Sequence, residues 1–329
     1  MTFTIHKSMK EIAHRYDGFI LDQFGVMHNG KESLPGAVEC VQTLSSSLGK
    51  KLIILSNTSS PSEAALAKLP KLGFDPKCFV GAVTSGEEAS RFIRERYGGD
   101  TNDTNNPKRK AILLTWADEL SSRKFLKKCG NIEATVNYDE ADLVIAHGSQ
   151  VMRGQKETST SDEKISECSC SDISLGSFMD SGDLSFIEPI LEKCKEHNLE
   201  MVCANPDFVV KAGGSFAHMP GKIAEKYEEM GGVCKYFGKP HEEHFNACLQ
   251  ELGLDAHRVA HVGDSLHHDI AGANAANIPN IFITGGIHSE ALDQPIGNAD
   301  FVPSIQSLES LFDVNGSHVP THVMPLFKF

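Results

Sequence analysis

The chain has 329 residues, of which 40% are hydrophobic and 23% are charged, as in ordinary soluble globular proteins. Its 44 acidic and 31 basic side chains give a net charge of −13. This acidic excess argues against nucleic acid or an anionic membrane as the main partner.

The sequence also bears on location. It contains no apolar run long enough to span a bilayer, and the amino-terminal residues show neither the apolar core of a signal peptide nor the arginine-rich pattern of a transit peptide. The nine cysteines have no regular spacing, which fits free thiols in a reducing compartment better than a disulfide framework. We therefore expect a cytoplasmic protein.

The first informative segment is an apolar run at residues 19–21, which ends in Asp22 and opens into a loop containing Gly25. Such a run is typical of a buried parallel strand, and ligands bind at the carboxyl ends of such strands in open α/β sheets. Asp22 alone allows two interpretations, a catalytic carboxylate or a cap of the following turn.

The next segments continue the pattern of a parallel sheet. Helical spacing of apolar residues covers 36–48, and an apolar strand at 51–55 ends in Ser56 and Asn57. A helix is predicted after Pro61, because proline suits the first turn of a helix. The order β-α-β-α is the unit from which parallel sheets are built.

A second α/β segment follows and ends with a strand at 199–204 and the sequence Asn205-Pro206-Asp207. Within it, residues 153–183 are rich in Ser, Glu, Lys and Asp. That composition predicts a disordered insertion. Asn205 and Asp207 either face the active site or form a turn.

The last third returns to the first pattern. Strands predicted at 233–237 and 258–262 are followed by Lys239 and by Asp264 with Asp269. A further strand and a helix come next, and residues 321–329 are predicted to form an irregular tail.

Four predicted strand ends thus carry polar side chains, which a parallel sheet would gather at one edge. Asp22 and Asp264 offer the hard oxygen ligands that Mg²⁺ prefers, and Asp22 could form an aspartyl phosphate. Ser56 could hold phosphate oxygens, and Lys239 could neutralise the transferring phosphoryl group. Singly, each residue could be a helix cap, a turn residue or a surface acid. Together, in this order, they favour chemistry.

The same residues form four motifs, Asp22-Gln-Phe-Gly-Val26, Leu52-Ile-Ile-Leu-Ser-Asn57, Gly238-Lys-Pro240 and Gly263-Asp-Ser-Leu-His-His-Asp269. In these motifs the chain resembles the haloacid dehalogenase superfamily of phosphohydrolases. The segment between the second and third motifs resembles the type-C2 cap of class IIA members, which include p-nitrophenyl-phosphatase-like and sugar-phosphatase-like proteins. The segments that fit this group are Val83-Thr-Ser-Gly-Glu-Glu-Ala89, Ala204-Asn-Pro-Asp207 and Pro220-Gly-Lys-Ile-Ala-Glu-Lys-Tyr-Glu-Glu-Met-Gly231.

The resemblance implies a Rossmann-like α/β core with a parallel sheet, formed by residues 1–82 and 233–329, and an inserted α/β cap at 83–232. It implies hydrolysis of a small phosphorylated metabolite with Mg²⁺ as cofactor, and class IIA proteins often form homodimers through their caps. The implied roles are a nucleophile at Asp22, Mg²⁺ ligands at Asp22, the backbone carbonyl of Phe24 and Asp264, water-mediated metal binding by Asp269, phosphate binding by Ser56, Asn57, Thr58 and Lys239, and substrate contacts from Asn205 and Asp207.

Phe24 departs from the family pattern. The family's phosphatases usually carry a second aspartate at this position, which protonates the leaving group and then activates water. Without it, the chain could be a slow phosphatase, accept only good leaving groups, use another acid and base such as His28, or be a catalytically impaired sensor of a phosphorylated metabolite. Metal-independent dehalogenases also carry a ring here, but Asp264 and Asp269 argue against that activity.

Three further features have weaker functional interpretations. A zinc site is conceivable at His241 and His244 or at His261, His267 and His268, but the spacing and the neighbouring acids argue against it. Cys168 and Cys170 are expected to be exposed loop thiols. Trp116, the single tryptophan, is expected to pack in the core of the cap.

Overall fold

The computed structural model describes residues 2–98, 108–154, 172–212, 215–295, 298, 301–316 and 318–329. The strands are, in chain order, β1 (Thr4–Ile5), β2 (Gly18–Leu21), β3 (Lys51–Ser56), β4 (Gly81–Thr84), β5 (Arg109–Thr115), β6 (Ile132–Ala134), β7 (Leu143–Ala146), β8 (Val151–Met152), β9 (Ile173–Ser174), β10 (Glu200–Cys203), β11 (Val209–Ala212), β12 (Ser215–His218), β13 (Val233–Tyr236), β14 (Val259–Gly263), β15 (Asn280–Ile283) and β16 (His322–Met324).

The helices are α1 (Ala37–Gln42), α2 (Ser62–Leu66), α3 (Ser85–Ile93), α4 (Glu119–Lys128), α5 (Phe178–Ser181), α6 (Glu188–Glu196), α7 (Pro220–Glu229), α8 (Glu242–Leu252), α9 (Ala271–Ala275) and α10 (Ile305–Val314). Wide π-helical turns extend α1 and α3, and a third one, Leu266–Ile270, precedes α9.

The first sheet has the order β1-β16-β15-β14-β2-β3-β4, and its neighbouring strands all pair in parallel. Apolar side chains of β2 alternate between two cores. Phe19 and Leu21 pack in the same cluster as Val41 of α1, whereas Ile20 packs with Phe245 of α8. Because both faces are covered, the central strands are mostly apolar, and polar residues lie at or after their carboxyl ends, at one edge of the sheet.

The second sheet has the order β13-β10-β7-β5-β8-β9, with β6 also paired to β5. Parallel pairing joins β13, β10, β7, β5 and β6. Strand β8 pairs antiparallel with β5, and β9 pairs antiparallel with β8. Strands β11 and β12 form a separate antiparallel pair. The expected mixed α/β fold, with a parallel central sheet and an inserted α/β unit, is confirmed.

The expected domain boundaries, after residues 82 and 232, stay a prediction, and strand pairing continues past both positions. Strand β4 pairs with β3 as far as Thr84, so the first sheet extends beyond residue 82. Strand β13 pairs with β10 of the second sheet, so the chain returns to the first sheet only after Tyr236. Short apolar strands carry no sequence signal for which sheet they join.

Two segments are more ordered than their sequences indicated. The prediction of disorder over 153–183 is wrong for residues 172–183, because β9 pairs with β8 and the side chains of Leu175 and Phe178 are fully buried. Residues 155–171 of that insertion, with Cys168 and Cys170, lie outside the described residues. In the expected irregular tail, β16 pairs in parallel with both β15 and β1.

The sequence predicts free thiols and no segment that spans a membrane. The seven cysteines in the described ranges are free thiols. Across the same ranges, no helix combines the length and the apolar character needed to cross a membrane.

We predict that His322 makes stability depend on pH. Its Nε2 lies 2.8 Å from the Tyr16 hydroxyl and its Nδ1 lies 2.7 Å from that of Thr4. Burial lowers the pKa of His322 from 6.5 to about 4. Between pH 6.5 and about 4, His322 is therefore protonated in the unfolded chain but not in the folded protein. The free energy of unfolding consequently decreases as the pH falls through this interval.

The test is guanidinium chloride unfolding at about pH 7.5 and about pH 5. We expect the free energy of unfolding of His322→Gln to fall less than that of the wild type. His257→Gln, at an exposed histidine, should retain the wild-type pH dependence. If His322→Gln and the wild type lost the same amount, the attribution to His322 would be wrong.

Candidate active site

Three buried carboxylates meet at the carboxyl edge of the first sheet. Asp22 follows β2 and Asp264 follows β14, and these two strands are paired neighbours, with Val262 opposite Leu21. Asp269 belongs to the wide turn before α9, where its Oδ2 accepts a hydrogen bond from the Ser265 N–H at 3.0 Å. Carboxylate oxygens of Asp22, Asp264 and Asp269, here called the acid cluster, all lie within 4.8 Å of one another.

Lys239 supplies a positive charge to the acid cluster. Its Nζ donates to Asp22 Oδ1 at 2.5 Å and to Asp269 Oδ1 at 2.8 Å, and all three side chains are buried. The lysine lies in the segment that returns the chain from β13 of the second sheet to α8. The predicted convergence of Asp22, Lys239, Asp264 and Asp269 therefore exists in the structure.

The pKa values of the acid cluster and of Lys239 reflect their burial and the charges of their neighbours. Burial raises the pKa of Asp22 to about 7, against the opposing effect of Lys239. Burial and the charge of Asp22 raise the pKa of Asp264. For Asp269, burial acts upward, but Lys239 and His261 hold its pKa below the ordinary value. Burial acts to lower the pKa of Lys239, but the carboxylates Asp22 and Asp269 raise it above its ordinary value. One ammonium thus faces three carboxylates, which leaves the site short of positive charge.

The backbone around Asp264 leaves room for its carboxylate and little else. A Cβ on Gly25 would lie 1.8 Å from Asp264 Oδ2, and one on Gly286 would lie 2.1 Å from it. Gly25 also has a φ of +76°, which disfavours other residues. Asp264 Oδ2 accepts from the Ile287 N–H at 2.7 Å. A cluster of fixed, buried carboxylate oxygens fits a hard divalent cation such as Mg²⁺.

Ser56, the last residue of β3, lies at the same edge of the sheet, and its Oγ accepts from the Thr58 N–H at 3.4 Å. The side chain of Asn57 has a different arrangement from the expected phosphate ligand. Its Oδ1 accepts from the Lys239 N–H at 2.7 Å, and its Nδ2 donates to Asp207 Oδ1 at 2.7 Å and to the Lys239 carbonyl at 3.1 Å. Because both amide hydrogens are used, Asn57 links chain segments here.

Thr58 also acts through its backbone. Its carbonyl accepts hydrogen bonds from Ser85 Oγ at 3.0 Å and from the Gly86 N–H at 3.1 Å. Ser85 Oγ also reaches the carbonyl of Ala204 at 2.8 Å. The start of α3 is therefore fixed both to the loop after β3 and to the end of β10.

Two residues of the second α/β unit, Asn205 and Asp207, form a turn, and the substrate contacts expected of them stay a prediction. Asn205 Oδ1 accepts from the Asp207 N–H at 3.0 Å, which is a local turn. Asp207 Oδ1 in addition accepts from Asn57 and lies 3.6 Å from His268 Nε2. The turn therefore joins the cap to the edge of the catalytic sheet.

Trp116 does not have the expected role. It is partly exposed, and its Nε1 donates to Ser59 Oγ at 3.1 Å in the loop after β3. The indole is a contact between the two α/β units rather than part of the cap core.

The departure from the family pattern is visible at Phe24, whose ring is 42% exposed. It packs edge to face against His28, with ring centroids 4.9 Å apart. His28 is buried, its Nδ1 accepts from the Gly30 N–H at 3.1 Å, and burial lowers its pKa to about 4. A neutral imidazole in this state is a poor acid and base near neutral pH, so the hypothesis that His28 replaces the missing aspartate is not supported.

One residue of the site escaped sequence reasoning in its actual role. His261 lies within β14, is fully buried, and places Nε2 2.8 Å from Asp269 Oδ1. Its signal was a polar residue inside an apolar strand that leads into the acid motif. The zinc alternatives are not supported: within the described ranges the acid cluster is the single group with metal-ligand geometry.

Comparison with known proteins places these residues in a family. A model described as haloacid dehalogenase-like hydrolase matches residues 19–132, and one described as HAD-hydrolase-like matches residues 236–309. The first match contains Asp22 and the loop after β3, and the second contains Lys239, Asp264 and Asp269.

Similar proteins cover nearly the whole chain. A 4-nitrophenylphosphatase of Schizosaccharomyces pombe is 26% identical over 320 residues, which is 92% of this chain and 96% of the relative. A haloacid dehalogenase-like hydrolase from Brucella suis has a similar structure, with a TM-score of 0.69 and 22% identity, covering 97% of this chain and 98% of that one. A glycerol phosphate phosphatase from Mycobacterium tuberculosis, solved in complex with magnesium, has a TM-score of 0.55 and 19% identity, covering 84% and 70%.

The motifs, the acid cluster with its lysine, and the two family matches agree along the chain. This protein belongs to the haloacid dehalogenase-like hydrolases.

Proposed function

We propose that this protein is a Mg²⁺-dependent phosphohydrolase that acts on a small phosphate ester through an aspartyl phosphate on Asp22. The observation that carries the proposal is the placement of Lys239 Nζ between Asp22 and Asp269, beside Asp264. The phosphatase names of the yeast and mycobacterial relatives support the reaction class. The bound magnesium of the mycobacterial enzyme supports the choice of metal.

The geometry suits nucleophilic attack by Asp22. Lys239 donates to Oδ1 and not to Oδ2, so Oδ2 is the proposed attacking atom, and Oδ1 keeps a second lone pair for the metal. An ammonium has three N–H groups, and two of them point at carboxylates. The third can hold a phosphoryl oxygen, so that one side chain serves both the nucleophile and the transferring group.

The proposed reaction has two steps. Asp22 Oδ2 forms a bond to phosphorus while the bond to the leaving oxygen breaks, and that oxygen departs as an anion, which takes up a proton from solvent water. Water then attacks the aspartyl phosphate, which releases inorganic phosphate and restores the carboxylate. Mg²⁺ would be held by Asp22, Asp264 and the Phe24 carbonyl, with Asp269 binding through water, and would neutralise charge on the phosphoryl oxygens. Ser56 and the backbone of the loop after β3 would contact the phosphate.

Phe24 limits this chemistry, because a phenyl ring can neither donate a proton nor activate water. We therefore expect slow turnover and a preference for leaving groups that depart without protonation. The second candidate function, a catalytically impaired sensor of a phosphorylated metabolite, is favoured by the same exposed ring and by the neutral, buried His28.

The first prediction from the proposed function concerns the nucleophile. With p-nitrophenyl phosphate and Mg²⁺, Asp22→Asn should lose at least about 1,000-fold in kcat, because the covalent step needs the carboxylate. Asp17→Asn is the matched control, since Asp17 precedes the same strand and pairs at the surface with Arg258. Chelation of the metal should abolish wild-type turnover. Equal activity of Asp22→Asn and the wild type would eliminate the enzyme proposal in favour of the sensor.

The second prediction concerns Phe24. Phe24→Asp should raise kcat by about 100- to 10,000-fold, because it restores a general acid and base. The gain should be larger for alkyl phosphates than for p-nitrophenyl phosphate, whose leaving group needs less protonation. Phe24→Asn introduces a side chain with the shape of aspartate but without its acidic group, and it should show no such gain. Similar rates for the Asp and Asn variants would mean that the missing acid is not what limits the reaction.

The third prediction concerns the buried charge. In metal-free protein, Lys239→Met should lower the free energy of unfolding by about 3–5 kcal/mol, because the acid cluster loses its counter-charge. Added Mg²⁺ should recover part of the loss. Urea unfolding with and without Mg²⁺ measures both effects, with Lys193→Met at an exposed lysine as the control. Unchanged stability of Lys239→Met would show that the cluster does not depend on the lysine.

A further inference from the structure

His261 is a buried polar residue with an unusual set of contacts. Its Nε2 lies 2.8 Å from Asp269 Oδ1. Because an ionised carboxylate only accepts, Nε2 carries the hydrogen and donates it. Nδ1 makes no hydrogen bond of ordinary geometry within the described residues, although the Ile20 backbone carbonyl also acts on the ring. The ring packs edge to face against Phe245, with centroids 5.0 Å apart.

Packing alone does not explain an imidazole at this position. A leucine would fill a similar volume in this apolar strand. It would avoid the cost of burying a ring nitrogen that makes no regular hydrogen bond. The feature that a leucine lacks is the N–H directed at Asp269.

Asp269 is held by three donors from three parts of the chain. His261 and Lys239 both donate to Oδ1, each at 2.8 Å, and the Ser265 N–H donates to Oδ2 at 3.0 Å. The side chain also lies tightly against β14, because a Cβ on Gly263 would be 2.2 Å from Asp269 Cβ. The orientation of the carboxylate is therefore fixed before any ligand binds.

That orientation determines where the lysine lies. Lys239 Nζ is shared between Asp269 Oδ1 and Asp22 Oδ1. If the Asp269 carboxylate turned, the ammonium would lose one partner and close on Asp22, which would mask the nucleophile and withdraw the N–H that faces the phosphate.

We propose that His261 is a positioning residue, which fixes Asp269 so that Lys239 stays between the two carboxylates. The proposal rests on the proposed phosphohydrolase function for its effect on rate. Its structural content, that His261 sets the Asp269–Lys239 geometry, can be tested independently of turnover.

Three variants separate positioning from packing. His261→Leu removes the donor, and we expect kcat to fall by about 10- to 100-fold with little change in KM, as for other residues that orient a metal-site carboxylate. His261→Gln keeps an N–H near the position of Nε2 and should recover most of the rate. Phe245→Leu disturbs the packing on the other side of the ring and should lower stability while kcat stays close to the wild-type value.

The structural readout is a pair of metal-free crystal structures. In His261→Leu, the Lys239 Nζ to Asp269 Oδ1 distance should lengthen beyond about 3.5 Å, whereas His261→Gln should keep the wild-type contact. A leucine variant with wild-type kcat, or with an unchanged distance, would overturn the proposal. If Asp22→Asn had already shown that the wild type does not hydrolyse phosphate esters, the phosphohydrolase proposal would fail, and the crystallographic comparison would still decide the role of His261.

Discussion

The rest of the site depends on the buried contact between Lys239 and two carboxylates. Lys239 and Asp22 are separated by 217 positions in the chain, and their atoms lie 2.5 Å apart. A buried charge without a partner is strongly destabilising, so the ammonium and the carboxylates require one another. With Asp264 alongside, the negative charge still exceeds the positive charge. This imbalance supports the proposal that a divalent cation binds here and that Lys239 contributes to both stability and chemistry.

Asn57 extends this arrangement to the cap. Its amide joins the backbone of Lys239 to the side chain of Asp207, which belongs to the turn after β10. A movement of the cap would therefore be transmitted to the peptide that carries the lysine. The indole of Trp116 adds a second hydrogen bond between the two units through Ser59. The loop after β3 is thus one segment that connects the cap to the carboxyl edge of the first sheet.

Phe24 separates binding from turnover. The acid cluster and Lys239 lie around Asp22, but the loop that follows Asp22 offers the exposed Phe24 and a buried His28 whose pKa is lowered. Aspartyl-phosphate formation needs little proton transfer when the leaving group is good, whereas hydrolysis of the intermediate gains from a base. In the proposed reaction, the site is therefore better equipped for the first step than for the second.

The sequence by itself determined the α/β class, the strand ends that carry Asp22 and Asp264, and the family, because apolar periodicity and short motifs are local properties. It did not determine which sheet β13 joins, since pairing partners far apart in sequence decide that. Nor did it reveal that the amide of Asn57 is already fully hydrogen-bonded, or that His261 holds Asp269. Hydrogen-bond saturation and side-chain orientation depend on neighbours from distant segments, and only the tertiary structure brings those neighbours together.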